Sequence, residues 1–86
     1  MAGGVFDMDN NRFILILSSV ASQTIKELSI RHRISELDAA RSFYKSKVYK
    51  MLEDEKTKFW HFSYMSLCMM YDEEQEKGAF SIPEET

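Results

Sequence analysis

Two histidines, one cysteine and a scatter of carboxylates are the side chains here with the widest chemical repertoire. His61, beside Trp60, is the first to consider, because imidazole titrates near neutrality and can serve as acid, base or ligand. The other histidine, His32, is 29 positions away, and no His-x-x-x-His or Cys-x-x-Cys spacing puts two metal ligands on one helix face. A metal centre would have to draw Glu53, Asp54 or Asp72 from separate elements. Cys68 falls among Tyr64, Leu67 and Tyr71 at helical spacing, where a thiol behaves as a small hydrophobe and lacks the base a nucleophile needs. Glycine loops for phosphate, a Gly-x-Ser-x-Gly elbow and paired catalytic carboxylates do not occur. No catalytic residue, metal ligand, cofactor or small-molecule ligand is therefore expected, and His61 is read as a structural histidine at a helix end.

Such side chains act only where the fold holds them. The chain has 86 residues, three Gly and one Pro, 44% apolar and 29% charged, which suits one helical domain. From Phe13 the apolar positions Leu17, Val20, Thr24 and Leu28 keep one helical face, widened by Ile14, Ala21 and Ile25. Asp9 is its expected N-cap, with Met8 and Phe13 as a hydrophobic staple, and its expected length is about 20 residues. The run Phe13 to Leu17 is also compatible with a buried strand, but the absence of Gly or Pro after it favours helix. The register breaks over residues 30–34. Ser35-Glu36-Leu37-Asp38 resembles a capping box, so a second helix is expected from Glu36. Its row Leu37, Ala40, Tyr44, with Ala39 and Phe43 alongside, is expected to dock on the first helix. A bend near Lys45-Ser46 then leads to a short third helix carrying Val48, Met51 and Leu52. Residues 57–62 are too aromatic for an exposed loop, and Trp60, His61 and Phe62 are the expected structural anchors. Ser63 caps a last helix with Leu67, Cys68 and Tyr71 inward and Gly78 as its stop. The Met65, Met69, Met70 group is read as core filling. Residues 1–8 and 79–86 are expected as flexible tails.

Net charge is −3, but it is unevenly spread: −1 over residues 1–30, +4 over 31–50 and −6 over 51–86. The basic middle raises a helix-turn-helix reading with Lys47 and Lys50 on the recognition helix. The shortness of that helix and the acids Glu53, Asp54 and Glu55 at its end argue against nucleic acid. The longest unbroken apolar run has five residues, Phe13 to Leu17, so no membrane span is expected. The start lacks the basic and apolar regions of a secretory leader and the single cysteine can form no internal disulfide, which together point to the cytoplasm.

Residues 39–55, Ala-Ala-Arg-Ser-Phe-Tyr-Lys-Ser-Lys-Val-Tyr-Lys-Met-Leu-Glu-Asp-Glu, followed by Thr57-Lys58-Phe59-Trp60-His61-Phe62-Ser63, carry a recognisable order. A helix ends in an aromatic, a Ser-Lys-x-Tyr-x-x-Leu-Glu-Asp segment follows, then Lys, an apolar residue, Trp-His-Phe-Ser and a final helix. This resembles a family of small uncharacterised bacterial proteins over roughly residues 35–77. The resemblance implies a compact, helical, cytoplasmic protein. It also implies genes encoded beside toxin-like partners, and two alternative roles stay open: an antitoxin-like or regulatory protein that binds a toxin partner, with DNA as an optional second ligand, and a minor enzyme using His61. The resemblance assigns no catalytic residue.

The expectation is thus an all-α bundle of about four helices, with a long first and a short third helix, acting as a protein-interaction module. Leu15 and Ile16 fall off the main apolar stripe of the first helix, so Phe13, Leu15 and Ile16 form the candidate interaction surface. A two-fold homodimer through the first half of that helix would cover them, as would another protein or the chain's own last helix.

Overall fold

The computed structural model describes residues 10–83, and the expected Asp9 cap and Met8 staple lie outside them. The described chain is all-α: α1 Asn10–His32, α2 Glu36–Tyr44, α3 Lys47–Leu52 and α4 Tyr64–Lys77, with two single 3₁₀ turns, Glu55–Thr57 and Phe59–His61, between α3 and α4. The long first helix and short third one match the sequence reading, and the run Phe13 to Leu17 is helical.

Three serines start three helices. Ser35, Ser46 and Ser63 sit in extended backbone, and each side-chain oxygen accepts from the N–H three residues on, of Asp38, Tyr49 and Ser66. Each thereby satisfies one of the N–H groups that a helix start leaves without a carbonyl. The end of α1 was less legible. It continues to His32 and stops because Arg33 turns left-handed (φ 56°), letting the Ile34 N–H reach back to the Ser29 carbonyl at 3.1 Å. Gly78 ends α4 at φ 81°, and a Cβ there would meet nothing within 4 Å, so glycine is required for its backbone angle alone.

α1 is the spine. α2 packs on one side of its second half and α4 on the other, while α3 and the 3₁₀ turns close the end beside α4. Ala21, Ile25 and Leu28 of α1 meet Ala39 and Phe43 of α2, Val48 and Leu52 of α3, Phe59 and Phe62 of the turn region, and Leu67, Cys68, Met70 and Tyr71 of α4. Thr24 is fully buried because its hydroxyl bonds the Val20 carbonyl of its own helix at 2.8 Å. Its small side chain lets α4 approach until the Cys68 thiol lies 3.7 Å from the Thr24 carbonyl. Of the methionines of α4, Met70 is core, whereas Met65 and Met69 face out with Tyr64.

The basic middle and the acidic end meet at two places inside the molecule. Asp72 of α4 bonds Arg31 and His32 at the end of α1, each at 2.8 Å, and Arg31 also holds Glu27 at 3.1 Å. Glu74 accepts from the backbone N–H groups of Lys47 (2.9 Å) and Val48 (3.1 Å), and the Lys47 ammonium reaches the Gly78 carbonyl at 3.0 Å. Residues 79–83, expected as part of a tail, have no helix or strand but lie back on α4. Phe80 packs on the core and the Ser81 N–H donates to Glu73 at 2.9 Å. α1 also differs from the expectation set by the five-residue run: over 18 residues its mean hydropathy reaches 1.3 with 28% of that stretch buried, so it is long and apolar enough to cross a bilayer, a property shared by core helices of soluble proteins and by signal sequences.

Candidate functional site

The aromatic segment comes together differently from the expected anchor set. Phe62 is buried, and the ring it meets edge-on at 5.2 Å belongs to Phe59, the most buried residue of the segment. Trp60 is half-buried, its indole N–H donating to the Glu55 carbonyl at 2.9 Å. His61 is exposed, set against Trp60 and Phe62 by ring contacts, so it anchors nothing in the core. The physical reason is the 3₁₀ turn. It puts three successive side chains roughly 120° apart, and only the first of Phe59, Trp60 and His61 can point inward. Lys58, left-handed at φ 62°, sets that phase, and positive φ at a lysine is not something sequence pattern announces.

The remaining chemically versatile groups are dispersed or enclosed. Among the described residues no group of three His, Cys, Asp or Glu could hold a metal ion. Burial pushes the Cys68 thiol up to about 11, so at neutral pH it is a protonated core side chain. His32, which no local pattern singles out, is the histidine with an acidic partner among the described residues. Asp72 lies 40 positions away from it, a pairing that only the docking of α4 creates. The amino end of α3, the helix that the helix-turn-helix reading takes as recognition helix, is occupied by the Glu74 carboxylate.

The candidate interaction residues separate. Phe13 is buried, Ile16 is half-buried, and Leu15 stands 70% exposed, with Ile14 at 47% beside it. A further exposed apolar row lies on α2, whose two adjoining rows are both expected from sequence to dock on α1. The row that docks is Ala39 and Phe43, and the other row is left facing out: Leu37 is 61% exposed and Tyr44 50%. A nine-residue helix can press only one row into α1, and the two rows lie side by side.

The outward row forms the wall of an open groove of about 460 Å³ between α1 and α2. It is lined by the exposed Ser18 and Ser22 and the buried Ile25 of α1 and by the half-buried Ala40 of α2, with Leu37 and Tyr44 as its apolar wall and Glu36 as the one charged lining residue among the described residues. Tyr44 is braced from behind by Tyr49 of α3, edge-on at 4.9 Å, and Tyr49 in turn by Phe43 at 5.6 Å. Burial raises the Tyr49 phenol above its ordinary range, with Glu53 acting in the same direction. The wall is therefore held by an aromatic stack running into the core, while its outer face is open. Such a surface supplies apolar area, small hollows and hydroxyls. It contains no nucleophile with a base and no ligand set.

Two smaller hollows lie elsewhere among the described residues. One, between α1 and α4, is lined by Lys26, Ile30 and Tyr64; the other lies between Met69 and Pro83. No family model, curated protein or solved structure matches the chain.

Proposed function

We propose that this chain is a small protein-interaction module, acting without a cofactor, whose groove between α1 and α2 receives an apolar helical segment of a partner protein. The observation that carries the reading is that Leu37 and Tyr44 sit on an ordered helix, beside a hollow also lined by Ser18, Ser22, Ile25 and Ala40, with their apolar faces in water. Isolated exposed leucines are ordinary on a protein surface, but several large apolar side chains flanking one hollow are characteristic of a docking surface. The spacing also suits a helix. Leu37, Ala40 and Tyr44 stand at i, i+3 and i+7, the register that presents a ridge to a helical ligand, and the small lining residues permit close approach. Glu36 at one end gives the groove a polarity, favouring a cationic end of the bound segment.

Photo-crosslinking tests it. A benzophenone side chain introduced at Leu37 in the full chain, expressed in the native host, should give discrete protein adducts on irradiation. The same probe at Lys56, exposed and remote from the groove, should not. Equal labelling from both positions, or none from Leu37, would show that the groove docks nothing.

A further inference from the structure

Resting on the docking reading above, we infer that the occupant of the groove is a second copy of this chain, with the two α1 helices antiparallel about a two-fold axis at Ser18. α1 carries both halves of the fit. Ile14 projects one turn before Ser18, and Ser22 leaves a hollow one turn after it, so all three lie close to one helix face. Reversing a second α1 about Ser18 places residue 14 of each helix opposite residue 22 of the other. Each Ile14 then enters the hollow bounded by Ser22, Ala40, Leu37 and Tyr44 of its partner. Leu15, on the rim beside it, is covered in the same step. A two-fold arrangement makes this contact twice and closes on itself.

Charge agrees with that direction and not with the parallel one. Tyr44 lies at the Ser18 end of the groove and Glu36 at the far end, because α2 runs back along α1. An antiparallel partner opposes the two α1 dipoles, whereas a parallel partner would set them side by side in the same sense.

The area sets the strength. Ile14, Leu15, Leu37 and Tyr44 are 47%, 70%, 61% and 50% exposed. Together they leave on the order of 400 Å² open per copy, about half of what a standard-size interface takes from each partner. The pair is accordingly a weak, reversible one. The contact also explains why Leu15 is apolar at a position where the monomer would be served by any polar residue.

Light scattering after size exclusion on the purified full chain, over a micromolar concentration series, should show the mass rise from 10.1 kDa toward about twice that value. Ile14→Glu, at an exposed position, should hold the mass at that of one chain while leaving the helical circular dichroism intact. Ser18→Cys places a thiol on the axis in both copies and should give a disulfide-linked dimer under mild oxidation. Lys26→Cys, whose two copies would stand about 24 Å apart along the axis, should not. A mass of one chain at every concentration, or equal cross-linking from the two cysteine variants, overturns the second-copy inference. In that event adducts from the probe at Leu37 with a different protein would leave the docking reading standing, and the absence of any adduct would remove both.

Discussion

Replacing Glu74 should disable α3, a helix of six residues that Glu74 reaches from across the chain. A helix this short has no stability of its own, since nucleation costs more than two turns return. Its amino-terminal N–H groups are accounted for one by one. Lys47 and Val48 donate to the two Glu74 oxygens at 2.9 and 3.1 Å, Tyr49 donates to the Ser46 hydroxyl at 3.1 Å, and Lys50 makes the first helical bond, to the Ser46 carbonyl, at 3.3 Å. Two charge-assisted bonds contribute about 1.5 kcal/mol each in a protected setting, and a carboxylate at a helix amino end adds roughly 0.5 kcal/mol. Glu74 is half-buried and Lys47 exposed, so water recovers part of this, and a loss of about 2 kcal/mol is expected for Glu74→Ala. That is a large fraction of the roughly 4 to 13 kcal/mol available to a domain of this length. At about 4 to 8 °C per kcal/mol, Tm should fall by roughly 8 to 16 °C. Glu74→Gln keeps an acceptor but not the charge and should lose about half as much. Urea titration followed by circular dichroism measures these differences, with Glu76→Ala, exposed on the same helix, as the reference. If Glu74→Ala unfolds within about 0.5 kcal/mol of Glu76→Ala, the carboxylate is not what holds α3. Because α3 carries Tyr49, the brace behind Tyr44, the same substitution should also loosen the groove wall and weaken docking there.

Phe59→Ala should cost about 3 to 5 kcal/mol and Trp60→Ala roughly half of that, since Phe59 is enclosed while Trp60 shows one face to water; equal losses in urea titration would contradict the placement given by the 3₁₀ turn. Above pH 9 stability should fall. The unfolded Cys68 thiol ionises near its ordinary 9.0 and the native one only near about 11, so the native state holds the proton longer. The contribution is complete below the lower value and is lost through the upper, by up to about 3 kcal/mol. Tyr49 and Tyr71, both raised chiefly by burial, add in the same sense at higher pH. Cys68→Ala should flatten the decline in urea midpoint between about pH 8 and pH 10.5, and an unchanged slope would mean that the thiol is not enclosed.

What could be read from the sequence was whatever a few neighbouring residues decide. The starts of α2, α3 and α4 follow from serine caps, and the stop of α4 from Gly78, because each rests on hydrogen bonds within three or four residues. The close of α1 was misjudged by several residues since Arg33 takes a left-handed angle that only asparagine or glycine would have signalled. Asp72 with Arg31 and His32, and Glu74 with α3, were out of reach for a different reason. Both join positions more than 25 residues apart, and an acidic run looks the same whether it is solvated or clasped. The candidate interaction surface was half legible. Leu15 emerged because it leaves the apolar stripe, whereas Leu37 and Tyr44 were assigned to the core because they share a stripe with nothing to distinguish it from the one that docks.

That ambiguity on α2 bears on what the helix is for. Periodicity reports that two adjoining rows are apolar, and a monomer needs only one. The row it buries pairs a small residue with a large one, Ala39 with Phe43, which lets α2 lie close to α1 while a single ring fills the space toward Tyr49 and Tyr71. The row it leaves out has the larger side chains at both ends, Leu37 and Tyr44, around a small centre, Ala40. Burying that row instead would hold the helices apart over Ala40 and leave a void, since interiors tolerate few gaps larger than a methyl group. The docked row is therefore settled by shape and not by hydrophobicity, and the outer row is left with more apolar surface than the row that packs. Large, small, large along one side of α2 is a concave profile. Facing it across the groove are Ser18 and Ser22, which extend the hollow, while Ile14 of the same helix has the size to fill such a hollow but sits about two turns along the helix from Ser22. Surface and filler are thus both present in one chain yet cannot meet within it, which is the geometric condition for their meeting between two.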